Sequence, residues 1–161
     1  MAKKKVKTNA MRILESEKIE YIEHSYEVDK NHVDGIIAAK SIGKDPADVF
    51  KTLVTQGNSK DFFVFVIPVA ETLDMKKAAK ACGEKKVEMI HVKDINKITG
   101  YIRGGCSPIG MKKLYSTYID FSAEDLKTIT VSAGKIGFQV ELKPIDLKNI
   151  SKAEFADLII K

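Results

Sequence analysis

The segment Gly100-Tyr101-Ile102-Arg103-Gly104-Gly105-Cys106-Ser107-Pro108-Ile109-Gly110 is the one glycine-dense stretch of this chain. Glycines at 100, 104, 105 and 110 allow backbone N–H groups to approach a ligand closely, which suits an anion or a developing oxyanion. The stretch is not a phosphate-binding P-loop, because Gly105-x-x-x-x-Gly110 is followed by Met111 rather than Lys, and it lacks the dinucleotide-binding G-x-G-x-x-G pattern. The same glycines also serve a plain structural turn, and the local sequence does not separate the two readings.

Lys51 is the second candidate. In a strand over residues 50–55 it shares a face with Leu53 and Thr55, while Phe50, Thr52 and Val54 point the other way. A strand lysine is ordinarily a solvated edge residue, but beside a glycine-rich cleft it is a fixed positive group for a phosphate or a carbonyl. Cys106 follows Gly-Gly and invites a nucleophile reading, yet no neighbouring base or helix N-terminus is evident to lower its pKa. Cys82, at the end of an apolar helix, reads as core. His24, His32 and His91 fit no zinc spacing, so no metal or other cofactor is implied. Lys112 and Lys113 are able to hold a polynucleotide backbone, although a lysine pair is ordinarily a solvated surface.

The elements that must position these residues follow from local pattern. Thr8 caps a helix with Ala10, Ile13 and Leu14 on one face; residues 21–26 read as a strand; Val33, Ile36 and Ile37 suggest a second helix before Gly43. Asp45-Pro46 opens a turn into two β-branched and aromatic runs, 50–55 and 62–67, which form a hairpin. The second run is apolar at every position, so it belongs at the centre of a sheet. Asp74 caps a helix through Cys82, closed by Gly83; a strand at 87–91 and a helical turn around Ile95 and Ile98 lead into the glycine stretch. Strands near 117–121, 129–132 and 138–142 follow, the last alternating Phe138, Val140, Leu142 against Gln139, Glu141, Lys143. Ser151-Lys-Ala-Glu154 reads as a capping box for a docked C-terminal helix carrying Phe155, Leu158 and Ile159. Mixed strands and helices with two hairpins predict an α+β fold, a single domain with a largely antiparallel or mixed sheet.

A length of 161 residues suits one domain on the scale of roughly 100–200 residues per domain, and 44% apolar with 30% charged residues excludes disordered and fibrous classes. The chain has 27 Lys and Arg against 22 Asp and Glu, but Lys3, Lys4, Lys5 and Lys7 supply most of the excess. Residues 1–7 are expected to be a basic flexible tail, and the near-neutral body does not by itself imply nucleic-acid binding. No apolar run approaches the ~20 residues of a bilayer span, so a cytoplasmic protein with no membrane partner and reduced cysteines is expected.

Several segments together carry a family resemblance. Phe50-Lys51-Thr52-Leu53, Lys76-Lys77-Ala78-Ala79-Lys80, Lys86-Val87-Glu88-Met89, Thr99-Gly100-Tyr101, Gly104-Gly105-x-Ser107-Pro108-x-Gly110 and Val131-Ser132-x-Gly134-Lys135-x-Gly137 resemble the YbaK/EbsC family in order and spacing from about residue 8 to 157. These are trans-editing deacylases similar to the editing domain inserted in bacterial prolyl-tRNA synthetases. The resemblance implies a β-barrel-like mixed sheet surrounded by helices, occupying residues 8–161. It implies an enzyme releasing cysteine from Cys-tRNA(Pro) and Cys-tRNA(Cys), with prolyl-tRNA synthetase as a further partner. By position it makes Lys51 and Gly104 the catalytic pair, with Tyr26, Gly105, Ser107 and Ser132 binding substrate. The substrate's own thiol is then the nucleophile, so no protein nucleophile, metal or cofactor is needed. Cys106 and Arg103 depart from the family's usual aliphatic and apolar residues, which bears on substrate choice. Two other readings are an Ala-tRNA(Pro) deacylase and a non-catalytic nucleotide- or tRNA-binding module.

Overall fold

Residues 7–27 and 35–161 are described by the computed structural model. Helix α1 (Asn9–Ser16) begins as its sequence requires: Thr8 Oγ1 accepts from the Met11 N–H at 3.2 Å, and Ala10, Met11 and Leu14 are buried. Strand β1 (Ile22–Ser25) and helix α2 (Gly35–Ser41) follow. Val33, expected near the start of α2, lies outside the described residues, as does the expected basic tail apart from Lys7, whose Nζ is 2.7 Å from Glu15 Oε2.

Strands β2 (Phe50–Gly57) and β3 (Phe62–Pro68) form the expected antiparallel hairpin, with Lys51 opposite Ile67. Helix α3 (Met75–Cys82) is capped by the Asp74 carboxylate, which accepts from the Lys76 and Lys77 N–H groups, and it ends at the left-handed Gly83. Strand β4 (Val87–Met89), helix α4 (Ile95–Thr99), β5 (Ser116–Asp120), β6 (Ile129–Lys135), β7 (Phe138–Leu142), α5 (Pro144–Ser151) and β8 (Glu154–Ala156) complete the order.

The strands form two sheets, β1-β7-β6 and β4-β2-β3-β5-β8. The first is antiparallel; in the second, β5 runs parallel to both β3 and β8. β3 is therefore internal, and its unbroken apolar sequence serves two cores. Val64 and Val66 pack with Phe50, Val54, Ile119 and Val131, while Phe63, Phe65 and Ile67 pack on the other side with Ala78, Val87 and Leu158. Burying each such side chain contributes roughly 1.5–3 kcal/mol, so this strand holds both layers together.

One expectation is sharpened and one corrected. The fold is mixed α+β as expected, and its barrel-like arrangement is not a closed barrel: among the described residues the two sheets meet at the isolated parallel bridge between Val49 and Thr130. The outer edge of β2 is divided, with β6 reaching it at Val49 and β4 pairing with it only from Thr55 to Gly57, so no continuous ladder closes the ring. The correction concerns the C-terminus. Ser151 ends a helix instead of starting one: its Oγ donates to the Leu147 carbonyl at 2.6 Å, and Lys152 turns left-handed at φ +51°. The segment expected to be helical is β8, whose Phe155 pairs with Ile119. The missed helix α5 has its own start signal, Pro144 in the first turn, where a missing N–H costs nothing.

Candidate active site

The divided edge of β2 creates a cavity. On one side the Thr130 N–H donates to the Asp48 carbonyl at 3.0 Å; on the other the Ile90 N–H donates to the Val54 carbonyl at 3.2 Å. Between these anchors Phe50, Lys51, Thr52 and Leu53 border a cavity of about 410 Å³. Its opposite walls come from Ser132 of β6, Gln139 of β7, Ala38 of α2 and the glycine loop at Arg103, Gly104 and Cys106.

Of the six residues singled out from sequence, Tyr26, Lys51, Gly104 and Ser132 line this one cavity. Tyr26 is held there because its N–H donates to the Gly137 carbonyl at 2.9 Å, extending the β1–β7 pairing by one residue. Ser132 Oγ accepts from the Gly134 N–H at 3.1 Å, a bond that leaves the hydroxyl's own O–H unused. Gly104 is exposed and sits at φ +85°, a conformation that an L side chain would strain.

Gly105 and Ser107 lie behind the wall. The Gly105 N–H donates to the Ile102 carbonyl at 2.9 Å, so this amide is already used inside the turn. A Cβ on Gly105 would stand 3.0 Å from Ile136 N and 3.2 Å from Lys135 C, both backbone atoms, which lets the loop press directly on the β6–β7 hairpin. Ser107 is 0% exposed, and its Oγ accepts from the Ile109 N–H at 3.2 Å. Both residues shape the loop, and neither is among those that line the cavity.

Cys106 reaches the cavity, but burial pushes its thiol up to about 11, with a hydrogen bond to the Thr99 side chain opposing that rise. A thiol in that range is overwhelmingly protonated near neutrality and is a poor nucleophile. Cys82 is likewise raised, mainly by burial.

Gln139 was missed. It is 7% exposed, it lines the cavity, and its Oε1 has no hydrogen-bond partner among the described residues. Thr52 Oγ1, also bordering the cavity, is in the same condition. The signal available in the sequence, a polar residue in an alternating strand, marks a solvated face and gives no hint of burial.

Two residues along β7, Glu141 is 6% exposed and fully engaged. His24 Nε2 is 2.7 Å from its Oε1, while Lys44 Nζ at 2.8 Å and Thr128 Oγ1 at 2.5 Å donate to Oε2. Burial alone would raise the Glu141 carboxyl, but these hydrogen bonds and the Lys44 charge outweigh it and hold the group at about 2. The cluster ties the segment after α2 to the β1-β7-β6 sheet and thereby fixes one wall of the cavity.

The model of the aminoacyl-tRNA editing domain matches residues 32–150. The chain belongs to the aminoacyl-tRNA editing domain family. Within that family it is 48% identical, over 163 residues, to a protein of Enterococcus faecalis (strain ATCC 700802 / V583) named as a candidate Cys-tRNA(Pro)/Cys-tRNA(Cys) deacylase, EbsC, with 100% of this chain and 99% of the relative covered. The editing-domain fold is matched by the crystal structure of a protein described as a candidate trans-editing enzyme for prolyl tRNA synthetase, with a TM-score of 0.80, 20% identity and coverage of 96% and 99% of the two chains. It is matched equally by the crystal structure of the hypothetical protein APE2540, with a TM-score of 0.83, 19% identity and coverage of 92% and 97%. At these identities the structures establish the fold.

Proposed function

We propose that this chain, as one editing domain over residues 8–161, is a trans-editing deacylase that releases cysteine from Cys-tRNA(Pro) and Cys-tRNA(Cys). The observation that carries this reading is the chemistry of the cavity: it offers two cationic side chains, Lys51 and Arg103, and a glycine, while its one thiol, Cys106, is held at about 11. The name of the 48% identical relative supports cysteine as the amino acid.

With no activated protein nucleophile at hand, the substrate supplies one. The cysteinyl thiol attacks its own ester carbonyl, the C–S bond forms, the C–O bond to the terminal ribose breaks, and the thiol proton ends on the leaving ribose oxygen. The four-membered thiolactone then opens with water. Holding the reacting atoms in line contributes up to roughly 7–11 kcal/mol in well-aligned intramolecular reactions. Lys51 stabilises the developing oxyanion or the terminal adenosine phosphate, and the Gly104 amide faces the carbonyl. Tyr26 and Ser132 flank the aminoacyl group. Gln139 Oε1 accepts from its amino group, which relieves an acceptor whose isolation costs roughly 1–3 kcal/mol. Prolyl-tRNA synthetase, named in the description of one solved relative, is the partner that would hand over tRNA(Pro), and the cytoplasm is where such a handover occurs.

The test is a side-by-side deacylation of Cys-tRNA(Pro), Ala-tRNA(Pro) and a Ser-tRNA. Cysteine is expected to leave fastest, and serine slowly because a hydroxyl ionises far less than a thiol. Faster alanine release overturns the cysteine assignment. Ester half-lives unchanged by protein that still binds the tRNA make the chain a binding module.

A further inference from the structure

A second concavity of about 690 Å³ lies beside the cavity and shares two wall residues with it, Met89 and Ile90. Five lysines line it, Lys60, Lys86, Lys97, Lys112 and Lys113, contributed by the β2–β3 loop, β4 and its approach, α4 and the segment after the glycine loop. Only two carboxylates, Glu88 and Asp94, stand among them. Glu88 Oε1 is 2.9 Å from Lys86 Nζ, so one pair is internally balanced and the others leave a net positive wall.

That concentration is not inherited from the chain at large. Outside the first seven residues and this cleft, acids slightly outnumber bases. Chain segments distant in sequence therefore converge their lysines at one place, in a cleft that shares Met89 and Ile90 with the cavity. The cleft also has an aromatic patch: Phe62 and Tyr115 pack edge to face with centroids 5.9 Å apart, and the Tyr115 hydroxyl is anchored by donation to the Ile98 carbonyl at 2.7 Å. Lysine head groups beside a fixed ring match a polynucleotide, whose phosphates pair with the cations and whose unstacked bases lie on aromatic faces.

We infer that this cleft is the polynucleotide site of the protein and seats the phosphodiester backbone of the tRNA acceptor end, so that the aminoacylated terminus enters the cavity across Met89 and Ile90. The inference rests on the aminoacyl-tRNA reading above and adds where the RNA lies. It gives Lys112 and Lys113 a role that the lysine pair alone does not establish.

The experiment reverses three cleft lysines together, Lys60→Glu, Lys97→Glu and Lys113→Glu, and compares them with Lys127→Glu, Lys143→Glu and Lys148→Glu, which change net charge equally but line neither concavity. Each protein is assayed on Cys-tRNA(Pro) and on the cysteinyl ester of adenosine, which lacks any acceptor stem. Binding of uncharged tRNA(Pro) is followed by fluorescence anisotropy across a salt series. For the cleft variant, the KM for Cys-tRNA(Pro) is expected to rise at least tenfold and the slope of log affinity against log salt to shrink by about two to three. Its kcat, and its rate on the adenosine ester, stay unchanged. The control variant should shift KM by less than about threefold. Equal shifts in both variants assign the effect to overall charge and overturn the inference. So does a cleft variant that binds tRNA normally but loses association with prolyl-tRNA synthetase, since the cleft then serves a protein. Because anisotropy needs no turnover, it tests the cleft even if the deacylase reading fails.

Discussion

Gln139 and Glu141 stand two residues apart on one face of β7, both nearly sealed from solvent, and their polar atoms are treated in opposite ways. Both oxygens of Glu141 are engaged, by His24 on one side and by Lys44 and Thr128 on the other. Gln139 Oε1 has no partner among the described residues, and it lines the cavity. A buried polar group whose bonds are complete holds structure together; one whose bonds are incomplete, in a residue that lines a cavity, is a candidate for binding. Of the lysines near these two residues, Lys44 closes on Glu141 while Lys51 lines the cavity.

The sharpest way to break this comparison is to exchange the lysines' fates. Lys51→Ala is expected to slow deacylation by about 10²–10³-fold, the usual scale for one preorganised group. Lys44→Ala should act on stability instead, losing about 1–3 kcal/mol because it removes one donor from a buried carboxylate that keeps His24 and Thr128, with kcat within about threefold. If Lys44→Ala abolishes activity in a folded protein, or Lys51→Ala leaves turnover unchanged, the division fails.

The neighbouring pair on β7 gives a smaller effect and a pH signature. A carboxyl held at about 2 contributes stability that is fully present above the ordinary range near 4.3 and is lost as pH falls toward 2. Denaturant titrations between those pH values should show that loss in the native protein and a smaller one in Glu141→Gln, which also starts less stable. Gln139→Leu, by contrast, should leave stability equal or slightly raised at every pH, because it removes an unsatisfied buried acceptor, while raising KM about tenfold. A Gln139→Leu protein that loses stability and keeps its KM would make Gln139 a structural residue.

The smallest effect expected is at Cys106. Cys106→Ala should retain activity within about threefold, since burial keeps the thiol protonated. A folded Cys106→Ala protein slowed more than 100-fold restores a protein nucleophile.

Much of the fold was legible because the signals are local. Thr8 and Asp74 cap the helices they announce, and the runs at 50–55 and 62–67 pair as their composition requires. Lys51, Gly104, Tyr26 and Ser132, far apart in sequence, line one cavity. What failed depends on partners remote in sequence. Ser151-Lys-Ala-Glu154 satisfies a capping pattern, yet the free edge of β5 claims residues 154–156 as a strand, and pairing outweighs the weak preference of so short a segment. Gln139 and Glu141 read as an outward polar face because alternation says nothing of a second layer covering it. The resemblance implies a barrel-like sheet without saying whether it closes; it stays open because the edge of β2 is shared by β6 and β4 with a gap between them.

The parallel pairings have a kinetic consequence. β5 joins β3 and β8 without a tight turn on either side, so each contact closes a long stretch of chain before it contributes any stabilisation. Such pairings form late, while hairpins such as β2–β3 and β6–β7 close early. During synthesis the β5 edge stays bare until β8 leaves the ribosome, and over that interval a chaperone has an unpaired strand edge to recognise.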